Sequence, residues 1–213
     1  MTMTDTLEHT VTSEAVHVSV RWIDLAALAS VSASCASDDA RPILTAVHLT
    51  SEDHRLVATA TDSYSMAVVD VADGGISSDH APLDVLIPAA WLTQAVRALK
   101  VSRFPMRGLT LSVTGETVTL SDGDTTLTTL VQAGEYPKVR HLIPAAGNYA
   151  SELGAFNADF MARMAKIAPE FDKSLKSVAT WRCVSMSATS VSVWERTTGN
   201  AHALFLLMPV RIN

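Results

Sequence analysis

The sequence is poor in cysteine and contains no long hydrophobic run. Cys35 and Cys183 are its only cysteines, too few for a disulfide framework, so two thiols in a reducing compartment are the better interpretation. No apolar stretch approaches the length of a membrane span. Residues 1–15 are polar and threonine-rich, without the apolar core of a signal peptide. We therefore expect a cytoplasmic protein with no membrane partner, in which residues 1–15 form a flexible leader.

Charge is also scarce, and negative charge exceeds positive charge. Charged residues make up 18% of the 213 residues, and the formal net charge is −6. This balance excludes a generally basic nucleic-acid-binding protein, but it allows binding through a local basic face. Hydrophobic residues reach 48%, which predicts a globular protein with a substantial core.

The sequence shows no catalytic or metal-binding arrangement. Its seven histidines lack the spacing of metal ligands. Asp62 and Ser63 could form a hydrolase pair with a distant histidine, but no nucleophile elbow surrounds Ser63. We predict a protein that is not an enzyme, with no catalytic residue, metal or cofactor. A hydrolase on a repeat scaffold is the least favoured hypothesis.

A repeated order of secondary structure runs through the chain. Residues 16–20 alternate and predict a strand, and residues 23–35 predict a helix. Three strand-like runs follow, at residues 43–50, 56–61 and 64–71. Residues 73–79 are rich in glycine, serine and aspartate, which predicts a linker.

After this linker the same order returns. Residues 83–87 predict a strand, and Pro88 suits the first position of a second helix. Three further strands are predicted, at residues 109–113, 118–120 and 127–131.

A third pass begins after a second linker at residues 145–148. Asn157 predicts the N-cap of a third helix, and the three predicted strands cover residues 178–186, 191–194 and 204–208. The last run is unbroken and apolar, which predicts a strand buried on both faces, and Pro209 marks the end of its pairing. The period of roughly 65–70 residues predicts an α+β fold of three repeated β-α-β-β-β units.

Five short motifs occur in order along the chain. They are RPILTAV at residues 41–47, ATATDSYSMA at 58–67, GEYPKVRHLIP at 134–144, FN at 156–157 and LMPVR at 207–211. In this order they resemble the bacterial replicative sliding clamp, the beta subunit of DNA polymerase III, across most of residues 16–213. The sequence departs from the family at Ser65, where the family has arginine, and at Val139, where it has tyrosine.

The resemblance implies a DNA-clamp fold, with antiparallel sheets outside and helices inside. Residues 16–145 would form a full clamp domain of two units, like the middle domain of the family, and residues 146–213 a half domain of one unit, like the second half of the last domain. The family's ring contains twelve units, so three units per chain would require four chains in head-to-tail contact. We therefore expect a homo-oligomer, with a tetrameric ring as the hypothesis.

The resemblance further implies a groove between the middle and last domains that receives peptides from DNA polymerases and clamp loaders. Apolar walls with a few polar groups suit such a peptide. The alternative is that these positions are ordinary core side chains of a sheet. Carried over by position, the groove residues are Arg41, Leu44, Thr61, Ser63, Tyr64, Ser65, Met66, Pro137, His141, Leu142, Ser190, Leu206, Met208, Pro209, Val210 and Arg211.

The same resemblance implies that basic helix faces hold double-stranded DNA through its phosphates without reading sequence. The candidates are Arg21, Arg97, Lys100, Arg163 and Lys166, and a solvated helix face is the alternative for each of them. The predicted function is a sliding-clamp-like processivity factor in DNA replication, which tethers a polymerase to DNA. The alternative is a clamp-like module that forms no ring and regulates replication by binding clamp-binding peptides.

Overall fold

Eleven strands and three α-helices make up the part of the chain that the structure describes. The structure is a computed structural model, and it describes residues 15–38, 40–72, 82–100, 106–145, 154–167, 180–198 and 201–210. The strands form two antiparallel sheets, one of four strands and one of seven. Within these residues, no helix is long and apolar enough to cross a membrane.

The first unit contains one helix and four strands. Its helix is followed by a 3-10 helix at Ser30–Ser34, and a second 3-10 helix at Pro42–Thr45 precedes the next strand. The elements are β1 (Val16–Arg21), α1 (Trp22–Ala29), β2 (Ala46–Glu52), β3 (Arg55–Thr61) and β4 (Ser65–Ala72).

The second unit repeats this order. Two tight turns, with glycines in the left-handed region at Gly115 and Gly123, join its last three strands. The elements are β5 (Asp84–Pro88), α2 (Ala89–Ala98), β6 (Gly108–Thr114), β7 (Thr117–Ser121) and β8 (Thr126–Leu130).

The third unit has a shorter helix. The side chain of Asn157 accepts a hydrogen bond from the backbone N–H of Asp159, so the predicted N-cap is confirmed. The helix changes to a 3-10 helix after one turn, at Ala162–Lys166. The elements are α3 (Ala158–Met161), β9 (Arg182–Ser185), β10 (Ser192–Thr198) and β11 (Ala201–Leu207).

The first two units exchange their first strands. β1 of the first unit pairs with β6 of the second, and β5 of the second unit pairs with β2 of the first. Each unit therefore completes the sheet of the other. The order β1-β6-β7-β8 in one sheet matches the order β5-β2-β3-β4 in the larger sheet.

The terminal apolar run lies inside the larger sheet, as its sequence predicts. β11 pairs with β4 on one side and with β10 on the other, giving the order β5-β2-β3-β4-β11-β10-β9. Phe205 and Leu207 point into the main core, whereas Leu206 belongs to a cluster on the opposite face. Regular pairing ends at Leu207, before Pro209. This strand joins the third unit to the first.

The main core lies between the sheets and the helices. It joins alternate residues of the strands to the buried faces of α1 and α2, with Ile23, Leu28 and Leu92 almost completely buried. The predicted α+β architecture of sheets with helices packed on one side is confirmed.

Several predicted boundaries differ from the structure. The predicted strand at 43–50 begins as a 3-10 helix because Pro42 fixes a helical φ at its start. The α-helical part of the predicted helix at 23–35 ends at Ala29. Pro88 is the N-cap of α2 and not its first residue. The predicted strand at 178–186 is shorter, at Arg182–Ser185. Parts of the predicted linkers and of that strand lie outside the described residues, at residues 73–79, 146–148 and 178–179.

Candidate functional site

The turn between β3 and β4 is held by the side chain of Asp62. One carboxylate oxygen accepts hydrogen bonds from the backbone N–H of Tyr64 at 2.9 Å and of Ser65 at 2.8 Å. Thr61 donates its hydroxyl to the Ser65 carbonyl at 2.8 Å. Ser63 has a φ of +79°, which this bonding stabilises. The turn therefore projects Tyr64 outward, where 59% of its surface is exposed.

The helical segment of the third unit packs against this turn. Arg163 donates to the second carboxylate oxygen of Asp62 at 2.6 Å and to the Ser65 hydroxyl at 2.9 Å. Its guanidinium carbon lies 4.6 Å from the centre of the Phe160 ring. Phe160 in turn stacks on Tyr64, with 5.8 Å between ring centres and 13° between planes. Residues about one hundred positions apart thus fix the orientation of Tyr64.

The C-terminal run lies beside the same tyrosine. The backbone N–H of Met208 donates to the Tyr64 carbonyl at 3.1 Å, and that of Val210 donates to the Ala155 carbonyl at 2.8 Å. Met208 and Val210 are 43% and 44% exposed. We call the exposed apolar area formed by Tyr64, Met208 and Val210, with Phe160 behind it, the Tyr64–Met208 surface.

Met66 and Leu206 lie beneath the outer face of the larger sheet. They pair directly across β4 and β11 and pack in one cluster, against which Val139 and Ile143 also pack. Their exposed fractions are 3% and 1%. In this structure they are buried side chains next to the predicted groove.

Arg41 and Leu44 approach the site from the 3-10 helix before β2. Arg41 donates to the Ser63 hydroxyl at 2.8 Å and to the Asp62 carbonyl at 3.3 Å, so a cation lies at the edge of the turn. Leu44 is buried in a separate small cluster with Tyr136. The structure therefore brings Arg41 into contact with the turn, while Leu44 contributes to packing behind it.

The remaining predicted groove residues are distributed around these elements. Pro137 and His141 line a cavity of about 260 Å³ over β2 and β3. Leu142 is 42% exposed, and Ser190 lies in an exposed turn, where its backbone N–H donates to the Ser187 hydroxyl. Pro209 is half-buried, and Arg211 lies outside the described residues.

Three of the predicted DNA-binding residues converge on the helix side. Arg97, Lys100 and Lys166 line one cavity of about 200 Å³ between α1 and α2. Its floor includes Trp22 and Ala26, and the Lys100 ammonium lies 5.3 Å from the centre of the Trp22 indole. Cations from the second and third units therefore share one apolar-floored cavity.

The other two predicted DNA-binding residues are paired with carboxylates. Arg21 forms an ion pair with Asp24 at the start of α1, and this hydrogen bond raises the pKa of Arg21. Arg163 is paired with Asp62 and is turned toward the Tyr64–Met208 surface. Their positive charges are thus partly neutralised within the fold.

Asp62, Phe160 and Arg163 are the contributors to the candidate peptide site that sequence reasoning missed. The sequence singles out Asp62 only as one member of a disfavoured hydrolase pair. It assigns Phe160 no role in a site, and it predicts Arg163 as a DNA contact. It shows an aspartate at a turn and an aromatic residue after Asn157, but it does not show that they meet. Their contact depends on the pairing of β4 with β11, which carries the third unit against the first.

Thiol chemistry is unfavourable at Cys35. Burial, and to a lesser extent the charge of Asp62, raises the pKa of the Cys35 thiol to about 12. The reactive thiolate is therefore rare near neutral pH. Among the described residues, no group of three or more histidine, cysteine, aspartate or glutamate side chains is placed to hold a metal ion.

The DNA-clamp fold defines the class to which this architecture corresponds. In that fold, repeated units exchange their first strands, with sheets on one side and helices on the other. Solved sliding clamps confirm this class. The DNA polymerase sliding clamp from Pseudomonas aeruginosa superposes with a TM-score of 0.74 at 15% identity, covering 98% of this chain and 69% of that one. The clamp from Bacillus subtilis gives 0.70 at 19% identity, covering 100% and 67%.

Sequence comparison then gives the family. The family described as DNA polymerase III beta subunit, central domain, matches residues 25–138, so this chain belongs to that family. The beta sliding clamp of Micrococcus luteus is 30% identical over 166 residues, which is 76% of this chain and 51% of the relative. That of Staphylococcus epidermidis is 25% identical over 170 residues, 78% of this chain and 43% of the relative.

The chain spans about half the length of the curated relatives it matches. The matches confirm the predicted resemblance to the beta subunit of DNA polymerase III. Membership of this family also supports the prediction that the protein is not an enzyme.

Proposed function

We propose that this chain is a clamp-like replication factor that binds peptides of DNA polymerases and clamp loaders at the Tyr64–Met208 surface. The observation that carries the proposal is the contact between Tyr64 and Met208, which brings two motifs of the clamp family together. Residues 16–145 act as a full clamp domain and residues 146–213 as a half domain, in a cytoplasmic protein.

The chemistry of the surface suits an extended peptide with apolar side chains. Tyr64 offers a ring face and a hydroxyl, and Met208 is an adaptable apolar side chain. Arg41 adds one cation at the edge, beside Ser63 and paired with the exposed Asp38 at 3.4 Å. A partner peptide would therefore place apolar side chains on Tyr64 and Met208 and an acidic group or its C-terminal carboxylate near Arg41.

Peptide binding tests this part of the proposal directly. Fluorescence anisotropy with a labelled peptide from the clamp-binding segment of a bacterial replicative polymerase measures affinity, and a scrambled peptide is the control. Saturable binding that is absent with the scrambled peptide supports the proposal. Equal binding of both peptides contradicts it.

We further propose that the helix side binds double-stranded DNA without sequence preference. Arg97, Lys100 and Lys166 line one cavity there, and such cations contact phosphates. A ring of four chains would place this side around the duplex. Retention of the protein on circular DNA, and its release after the circle is cut, would support the ring.

A second candidate function is a clamp-like module that forms no ring and competes for clamp-binding peptides. The pairing of Arg163 with Asp62 and of Arg21 with Asp24 favours it, because these ion pairs reduce the positive charge available to DNA. The net charge of −6 also favours this candidate, because it weakens the attraction of the protein to DNA phosphates. This candidate predicts peptide binding together with equally fast release from circular and linear DNA.

A further inference from the structure

Residues 137–143 lie on the outer face of the larger sheet, and we call them the strap. Among the described residues, the backbone hydrogen bonds of the strap are internal and none joins it to the sheet. The donating N–H groups and accepting carbonyls are Val139 to Pro137, Leu142 to Val139 and Ile143 to Arg140. A segment without backbone hydrogen bonds to its surroundings opens at a low cost in free energy.

Side chains therefore hold the strap on the sheet. Val139 and Ile143 are half-buried and pack against the apolar cluster of the outer face. Arg140 forms an ion pair with Glu52 at the end of β2, and both side chains are about half exposed, so this pair contributes little to stability. Tyr136 is buried directly before the strap and anchors its first end.

The strap is not closely packed on the strands beneath it. A cavity of about 260 Å³ is lined by Pro137 and Val139 on the side of the strap and by Thr50 and Thr59 on the side of β2 and β3. Protein interiors are normally filled to a high density. The strap therefore contacts the sheet over only part of its length.

The strap packs against two residues of the predicted peptide groove. Met66 and Leu206 pair across β4 and β11, two positions along the chain from Tyr64 and Met208, and both are almost completely buried. Within the described residues, Val139 and Ile143 are the half-buried apolar residues that reach their cluster from outside the sheet. The others lie in β9, in β11 or directly before β10, and they are Val184, Leu204 and Val191.

We infer that the strap is an autoinhibitory cover of the peptide site, and that a partner peptide displaces it from Met66 and Leu206. The inference rests on the proposed peptide binding and concerns the regulation of that same site. With the strap closed, Val139 and Ile143 make the apolar contacts that side chains of a peptide would otherwise make. The apparent affinity for the peptide is then reduced in proportion to the fraction of molecules with an open strap.

Val139→Ser tests the cover, with Val113→Ser as the matched control. Both valines are half-buried, but Val113 lies in β6 and packs against the main core. Serine at position 139 removes an apolar contact that favours the closed strap. Fluorescence anisotropy with the polymerase peptide should therefore show an affinity about fivefold higher for Val139→Ser and unchanged for Val113→Ser. Circular dichroism confirms the fold of both variants.

Arg140→Gln tests the ion pair that holds the strap. Loss of its contact with Glu52 should raise the peptide affinity about twofold, because an exposed ion pair stabilises the closed strap only weakly. Arg182→Gln is the control, since it removes an ion pair with Glu195 between β9 and β10. This variant should bind the peptide as the wild type does.

Thiol labelling measures opening in the absence of peptide. Met66→Cys places a thiol beneath the strap, in a Cys183→Ser background because Cys183 is exposed. The background protein without Met66→Cys gives the labelling rate of Cys35. Adding Val139→Ser should increase the labelling rate at position 66, whereas adding Val113→Ser should not.

The outcomes separate the inference from the proposed function. If the wild type binds the peptide and Val139→Ser binds it equally well or more weakly, the strap is a fixed wall of the groove and the inference is wrong, while the proposed function stands. A labelling rate at position 66 that does not respond to Val139→Ser also overturns the inference. If neither the wild type nor any variant binds the peptide, the proposed function fails and the inference fails with it.

Discussion

Arg163 and Asp62 form an ion pair of 2.6 Å that joins the helical segment of the third unit to the β3–β4 turn of the first. Asp62 is buried and also accepts backbone hydrogen bonds within its own turn. The ion pair therefore connects two units across 101 positions of sequence and supports the exposed ring of Tyr64.

Replacing Arg163 with methionine should destabilise the fold. The variant leaves one oxygen of the buried Asp62 carboxylate without its charged partner, so we expect a decrease of about 1–3 kcal/mol in the free energy of unfolding. Urea denaturation followed by circular dichroism measures it. Arg140→Met removes an exposed ion pair with Glu52 and should cost about 0–1 kcal/mol. Equal decreases in the two variants would contradict a structural role for the Arg163–Asp62 pair.

Met208→Ala should weaken peptide binding without unfolding the protein. The side chain is 43% exposed, so its truncation removes little core packing, whereas a bound peptide would bury it. We expect the affinity to fall about tenfold, equivalent to about 1.4 kcal/mol. Met106→Ala is the control because Met106 is also exposed, at 53%, but lies outside the Tyr64–Met208 surface. A similar decrease in both variants would argue against this surface as the peptide site.

Removing cations from the helix-side cavity should lower both DNA affinity and its salt dependence. For Arg97→Gln or Lys100→Gln, we expect the slope of log affinity against log salt to fall by about one for each phosphate that the variant no longer neutralises. Lys138→Gln is the control because Lys138 lines cavities away from the helices. An unchanged slope in all three variants would place DNA binding elsewhere.

His202 and Asp70 should make stability depend on pH. They face each other across β11 and β4, with 3.3 Å between the imidazole Nδ1 and the carboxylate. The Asp70 carboxylate raises the pKa of His202 above 6.5. Burial by itself would raise the pKa of Asp70, but His202 and Arg55 outweigh it and lower the pKa below 3.8.

The two shifts act over a defined pH window. The stabilisation of the fold by His202 is complete below pH 6.5 and is lost as pH rises through its raised pKa. The stabilisation by Asp70 is complete above pH 3.8 and is lost as pH falls through its lowered pKa. His202→Gln should therefore cost most between these values, at below about 1 kcal/mol because the pair is partly exposed. Urea denaturation at several pH values measures this cost. A cost that does not vary with pH would contradict the prediction.

The repeat, the fold class and the family follow from local patterns in the sequence. Alternating apolar residues specify which face of each strand is buried, and this local pattern repeats in all three units. The terminal run at residues 204–208 is apolar on both sides, so its burial within a sheet was also predictable. The motifs around Tyr64 and Met208 indicated the candidate surface, because both motifs are short and contiguous.

The way in which the units meet follows from long-range strand pairing, which local sequence patterns do not show. The β4–β11 ladder brings the third unit against the first, and it thereby turns Arg163 toward Asp62 and stacks Phe160 on Tyr64. Sequence spacing grouped Arg163 with Lys166 as DNA contacts because it records only local helix geometry. A buried carboxylate about one hundred residues away was the stronger influence on Arg163, since a carboxylate that has lost its hydration needs a charged hydrogen-bond partner.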